Sequence, residues 1–71
     1  MLKLKNGAQL IRLETNKKTR EQFALGYLQG RVTPWATWAV DKDGYTYWGH
    51  YFCDGENASL DLTKRVGGDH G

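Results

Sequence analysis

Side chains that could do chemistry are few in this chain, and most fall in one stretch. His50 and Cys53 stand three residues apart, close enough to suggest a thiol paired with an imidazole. Catalysis by such a pair needs the two groups within hydrogen-bond reach, a third group to orient the base, and an oxyanion site. Here the two flank the end of a predicted strand, and nothing nearby in sequence supplies the third part. His50 is therefore read as a partly buried polar residue on the helix-packing face, and Cys53 as a small residue at a strand end. No catalytic residue is assigned, and the chain is not expected to be an enzyme. Asp41 and Asp43 resemble paired carboxylates or calcium ligands. A calcium loop needs oxygen ligands at several alternate positions and a closing Glu, so these two are read as turn residues. His50 and His70 are the only histidines and Cys53 the only cysteine, which leaves no four-ligand zinc site. The glycines follow no phosphate-loop spacing. No metal or cofactor is expected.

What remains is aromatic. Residues 35–52 hold all three Trp, three of the four Tyr and one of the two Phe. They read as two strands around a tight turn, with aromatics on both faces. Asp41-Lys42-Asp43-Gly44 suits a type I turn with Gly44 left-handed, a three-residue hairpin loop with a bulge. That loop would pair Val40 with Thr46, Trp38 with Trp48 and Ala36 with His50. One face then carries Ala36, Trp38, Val40, Thr46, Trp48, His50 and Phe52. The other carries Trp35, Thr37, Ala39, Tyr45, Tyr47, Gly49 and Tyr51. A small domain needs one aromatic face for its core, so the second must be covered by the chain or meet a partner. Trp35, Tyr45, Tyr47 and Tyr51 have the composition of an interface centre and are the candidate partner-binding residues. The partner would be a foreign protein or a second copy, as in a homodimer. The competing reading is that residues 1–29 fold across them.

The N-terminal half offers a different surface. Residues 1–31 hold seven basic residues against two acidic, and residues 32–71 three against six. Lys17, Lys18, Arg20 and Arg31 could follow a nucleic-acid backbone while the aromatics stack on bases. Against this, Asp41 and Asp43 at the hairpin tip would repel phosphate, and no RNA-recognition signature is present.

The elements that must position these residues follow from local pattern. With 71 residues, one domain is the limit, and a chain this short buries only about 60% of its unfolded surface. Leu2 and Leu4 alternate with lysines up to Asn6-Gly7, a signal for a hairpin with a type I′ turn. The partner strand would run from Ala8 to Glu14, with Ile11 and Leu13 sharing a face with Leu2 and Leu4. Residues 20–29 fit a strand, with Phe23, Leu25 and Tyr27 on one face. They fit a helix equally well, with Thr19 as N-cap and Gly30 after the C-terminus. Asp54 is a good N-cap. It precedes an Ala58, Leu62, Val66 stripe, with Lys64 and Arg65 in the last turn and Gly67-Gly68 as the stop. Residues 1–66 are expected to form a single domain and 67–71 a disordered tail. The start carries no apolar signal-peptide core and no run is long enough to span a membrane, so a cytoplasmic location is expected.

The segments Thr33-Pro-Trp-Ala-Thr-Trp38, Tyr47-Trp-Gly-His-Tyr-Phe52, Asp54 and Ala58 to Arg65 carry a resemblance. They are similar to a pattern in small uncharacterised proteins of phages and mobile elements. There a Thr-Trp strand, an Asp-x-Asp-Gly turn, a Trp-Gly-His-Tyr-Phe strand and a short helix follow in that order. The resemblance covers residues 33–66. It implies the strand–turn–strand–helix order and an accessory role exercised by binding or inhibiting a host protein; it assigns no activity to any residue. The expected fold is α+β, a small antiparallel sheet of three to five strands with a C-terminal helix on one face. Trp38, Val40, Trp48, Phe52, Ala58, Leu62 and Val66 are expected to form much of the core.

Overall fold

Four strands and one helix appear in the computed structural model, which describes residues 3–67. β1 (Gln9–Thr15), β2 (Gln22–Tyr27), β3 (Trp35–Val40) and β4 (Thr46–Phe52) form one antiparallel sheet in chain order, and α1 (Gly55–Val66) packs on one face. The α+β class is as expected. Residues 20–29, which fitted helix and strand alike, supply central strand β2. Its backbone pairs with β1 on one side and β3 on the other, a tertiary satisfaction of hydrogen bonds that outweighs local propensity.

The two hydrophobic layers lie on opposite faces of the sheet. Phe23, Leu25 and Ala39 meet Ala58 and Leu62 of α1, with Trp35, Phe52 and Val66 at the margin. On the other face Ala36 and Trp38 are covered by Ala8, Leu4 and Leu28. Residues 3–8 thus fold over that face, as the competing reading allowed, but they cover Trp38 rather than the expected Tyr face. The indole lies so close to the backbone of β2 that a Cβ on Gly26 would sit 2.7 Å from its Cζ3.

The expected face assignment changes in two ways: α1 packs on the Trp35 and Ala39 side of β3 rather than on the Trp38 side, and one extra residue in β4 exchanges the faces of that strand. Val40 pairs with Thr46 as predicted, but Ala36 pairs with Tyr51 and Thr37 with His50, the register shifting between Thr37 and Ala39. Trp48 and Gly49 together oppose Trp38, a β-bulge. Side chains alternate with period two, so one extra residue exchanges the faces of everything beyond it. Phe52 therefore joins Trp35, Thr37 and Ala39 under the helix. Trp48, expected in the core, is 72% exposed, and Trp38 is buried at 3% on the face away from α1. Val40 is only half-buried on that same side.

The turns at Gly7 and Gly44 share one geometry. Gly44 N donates to Asp41 O (3.0 Å) and Asp41 N to Tyr45 O (2.9 Å), with Gly44 at φ +88°. Gly7 N donates to Leu4 O (2.9 Å) and Leu4 N to Ala8 O (2.8 Å), with Gly7 at φ +90°. Positive φ is confined to Gly7 there, so the type I′ turn expected of Asn6-Gly7 does not form. The expected N-terminal strand is reduced to a single bridge between Lys3 and Gln9. Leu2 and its share of that hairpin lie outside the described residues. Ile11, expected to share a face with Leu13, is the extra residue of a bulge in β1 between Leu10 and Arg12.

Helix α1 starts and stops where the sequence indicates. Asp54 Oδ1 accepts from Asn57 N at 2.8 Å, and Lys64 and Arg65 occupy the last turn. Gly67 ends it in a right-handed conformation, its N–H donating to Thr63 O at 3.0 Å. The rest of the expected tail, residues 68–71, lies outside the described residues.

Candidate partner-binding surface

β4 is an outer strand of the sheet, and its bulge sets how its aromatics are presented. Trp48 occupies the first bulge position at φ +53°, a left-handed conformation that glycine usually fills in a bulge of this kind. For a bulky side chain this backbone costs about 1–2 kcal/mol. The conformation turns the indole outward, edge-on to Tyr47 with ring centroids 5.0 Å apart and planes at 70°.

A polar network reaching the Trp48 backbone carbonyl braces the bulge. Arg65 Nη2 donates to the Trp48 carbonyl at 2.7 Å, and Nη1 donates to Thr37 Oγ1 at 3.1 Å. Thr37, fully buried, donates in turn to Asp61 Oδ2 at 2.5 Å. The Asp61 carboxylate faces His50 Nδ1 at 3.0 and 3.2 Å. The guanidinium also lies 5.4 Å from the Phe23 ring centroid. Burial lowers the Arg65 pKa, opposed by the nearby Asp61 carboxylate and, more weakly, by Tyr47. The helix is thereby tied to β3 and β4 at the point where β4 departs from regular pairing.

This network orients an imidazole, which is also a step toward base catalysis. The hydroxyl in it, Thr37, is however buried and donates to Asp61 rather than to His50. His50 is turned to Asp61, while Cys53 is a free, exposed thiol at the strand end. Asp41 does turn chemistry: its Oδ1 accepts from Asp43 N and Tyr45 N, both at 2.9 Å.

The four residues expected to form one platform are divided between the sheet's faces. Trp35 lies under α1, where a Cβ on Gly55 would sit 3.2 Å from its ring, and stacks edge-on with Tyr27 at 4.8 Å. It is part of the packing rather than a free contact. Tyr47 pairs with Ala39 on the helix face, whereas Tyr51 pairs with Ala36 on the other face. Tyr51 accepts from Trp38 Nε1 at 3.3 Å. Tyr45 sits at the turn with Lys5 Nζ 4.2 Å from its ring centroid. Exposure is 58% for Tyr45, 37% for Tyr47 and 50% for Tyr51, all below Trp48. Trp48 was missed because unbroken alternation puts it beside Trp38. The signal that could have found it is Gly49, since a glycine inside a strand pattern marks a bulge.

The basic residues are divided as well. Lys17, Lys18 and Arg20 are exposed in the β1–β2 turn, while Arg31 lies in the β2–β3 loop at the other end of the sheet. A six-residue strand of about 20 Å separates them. Asn16 holds the first group in place. Its Oδ1 accepts from Lys18 N (2.8 Å) and Thr19 N (3.0 Å), and its Nδ2 donates to Val66 O (2.8 Å).

Among the described residues no helix is long and apolar enough to cross a membrane. Comparison of the chain with family models, with curated proteins and with solved structures found no match.

Proposed function

We propose that the chain is a non-enzymatic interaction protein that binds a protein partner through the Tyr47–Trp48 ridge of β4. The observation that carries this reading is Trp48: the largest side-chain type, 72% exposed, in a left-handed backbone conformation braced by Arg65. Strained backbone persists where surrounding structure enforces it, and such sites cluster at functional surfaces. Trp and Tyr dominate the energetic centres of protein interfaces because a rigid ring buries much area at little entropic cost. An accessory role directed at a host protein, as the resemblance implies, is compatible with this surface.

The test pairs the wild-type chain with Trp48→Asn in affinity capture, followed by dissociation constants for whatever the wild type retains. A hot-spot Trp contributes about 2 kcal/mol or more, so the variant should bind about thirtyfold more weakly or worse. Affinity should change little with salt, unlike a phosphate-tracking surface, whose log affinity falls linearly with log salt. Light scattering on the two proteins reads the self-association case: a dimer lost in Trp48→Asn makes the partner a second copy. Equal binding by both proteins would remove this surface from consideration.

A further inference from the structure

We propose a second site, independent of the β4 ridge: a pocket for the phosphate monoester of a nucleotide-sized ligand, lined by Lys3 and Arg31. Three segments meet there. The bridge between Lys3 and Gln9 brings the N-terminal turn to the start of β1, and Gln9 pairs with Tyr27 at the end of β2. The β2–β3 loop is folded back by Leu28 N donating to Pro34 O at 2.7 Å, with Gly30 at φ +86°. These turns border an open concave space of about 340 Å³ whose lining includes Lys3, Tyr27, Gln29 and Arg31. That volume falls at the lower end of small-molecule sites.

The charge of the lining selects the ligand class. Two cations line the space, and among the described residues no carboxylate does. The ion pairs among the described residues are Arg12–Glu14 and His50–Asp61, so within that set neither Lys3 nor Arg31 is paired with a carboxylate. A concavity lined by one sign of charge focuses its field on a counter-ion. A phosphate monoester carries a charge of about −1.5 to −2 at neutral pH, matching two cations. The planar guanidinium of Arg31 can grip two phosphate oxygens while the Lys3 ammonium acts as a point charge. The Gln29 amide adds a neutral hydrogen-bonding group for the rest of the ligand. The pocket lies toward the β1 edge, across the sheet from Trp48, so either site can fail without the other.

The experiment is an amide NMR titration of the full chain at low salt. The probes are adenosine monophosphate, adenosine as the phosphate-free control, and a single-stranded oligonucleotide. Saturable shifts confined to residues 3–9 and 27–31 with the monophosphate, absent with adenosine, are expected. Arg31→Gln and Lys3→Gln should each weaken binding about tenfold or more. Lys18→Gln, at the other end of the sheet, should titrate like the wild type. Both mutated cations are exposed, and the ligand-free spectrum of each variant reports its fold. Shifts that follow Lys17–Arg20 as strongly, equal shifts with adenosine, or an Arg31→Gln titration matching the wild type would each overturn the proposal. So would binding of the oligonucleotide with no response to the monophosphate, which would assign these cations to a nucleic-acid backbone instead.

Discussion

Replacing Trp48 by Asn should leave the stability of the monomer within about 1 kcal/mol of the wild type, and two opposing contributions set that expectation. The ring is 72% exposed, so about a quarter of a side chain of roughly 250 Å² is covered. At about 25 cal/mol per Å² this is worth up to roughly 1.5 kcal/mol, including the apolar part of the contact with Tyr47. Against it stands the left-handed backbone at φ +53°. It costs a bulky residue about 1–2 kcal/mol and Asn much less, since Asn visits that region readily. The two nearly cancel. A buried tryptophan behaves differently: Trp38→Ala should cost about 3–5 kcal/mol, because Trp38 is only 3% exposed.

The assay is urea unfolding followed by far-ultraviolet circular dichroism, since removing an indole would distort a fluorescence signal. Trp48→Ala is the internal control. It deletes the ring like Asn but keeps a side chain that resists positive φ, so it should be less stable than Trp48→Asn by about 0.5–1 kcal/mol. A loss above about 2 kcal/mol in Trp48→Asn would show that the ring is core after all. Equal stability of the Ala and Asn variants would show that no left-handed strain exists at this position. Either result would remove the argument that this tryptophan is held out for a partner.

Three further substitutions test the frame that positions the ridge. Gly49→Ala should destabilise by about 1–3 kcal/mol through overpacking, since its Cβ would sit 2.9 Å from Trp38 Cδ1 and Nε1 and from Tyr51 Cε1; thermal melts check this, and a neutral effect would show that the indole can move. Asp54→Ala removes the cap on Asn57 N and should cost about 1 kcal/mol, with faster amide exchange in the first turn of α1 as the local readout. Asn16→Ala strips two backbone donors and the Val66 carbonyl of a buried partner; a loss of about 1–3 kcal/mol is expected in chemical denaturation, and an unchanged midpoint would mean that water replaces the amide.

What was legible in the sequence is what local chemistry decides. Asp41 to Gly44 specifies its turn because the Asp side chain bonds its own backbone and glycine accepts the left-handed position. Asp54 and the Ala58, Leu62, Val66 stripe specify the helix in the same way. Residues 20–29 were ambiguous because their choice depends on strands distant in sequence that offer hydrogen bonds on both sides. On β4 the face assignment failed at the bulge of Trp48 and Gly49, and that single insertion also split Tyr47 from Tyr51. Trp35 left the expected platform because its face lies under α1, not because its side chain type was misread. Arg31 and Lys17–Arg20 are close in sequence, yet a strand carries the chain from one end of the sheet to the other between them.

The bulges also restrict how a partner can be met. An outer strand normally exposes a row of unpaired N–H and C=O groups, which invites another strand to add. Both outer strands here are interrupted, β1 between Leu10 and Arg12 and β4 at Trp48 and Gly49. On β4 the interruption falls within a seven-residue strand, and the Trp48 carbonyl already accepts from Arg65. A peptide laid along that edge would find its ladder broken and one acceptor occupied. Recognition on β4 is therefore left to side chains. The same bulge that blocks strand addition projects Trp48 outward, so protection of the edge and presentation of the ring have one structural cause. Residues that restored regular pairing would draw Trp48 back toward the sheet and reopen the edge together.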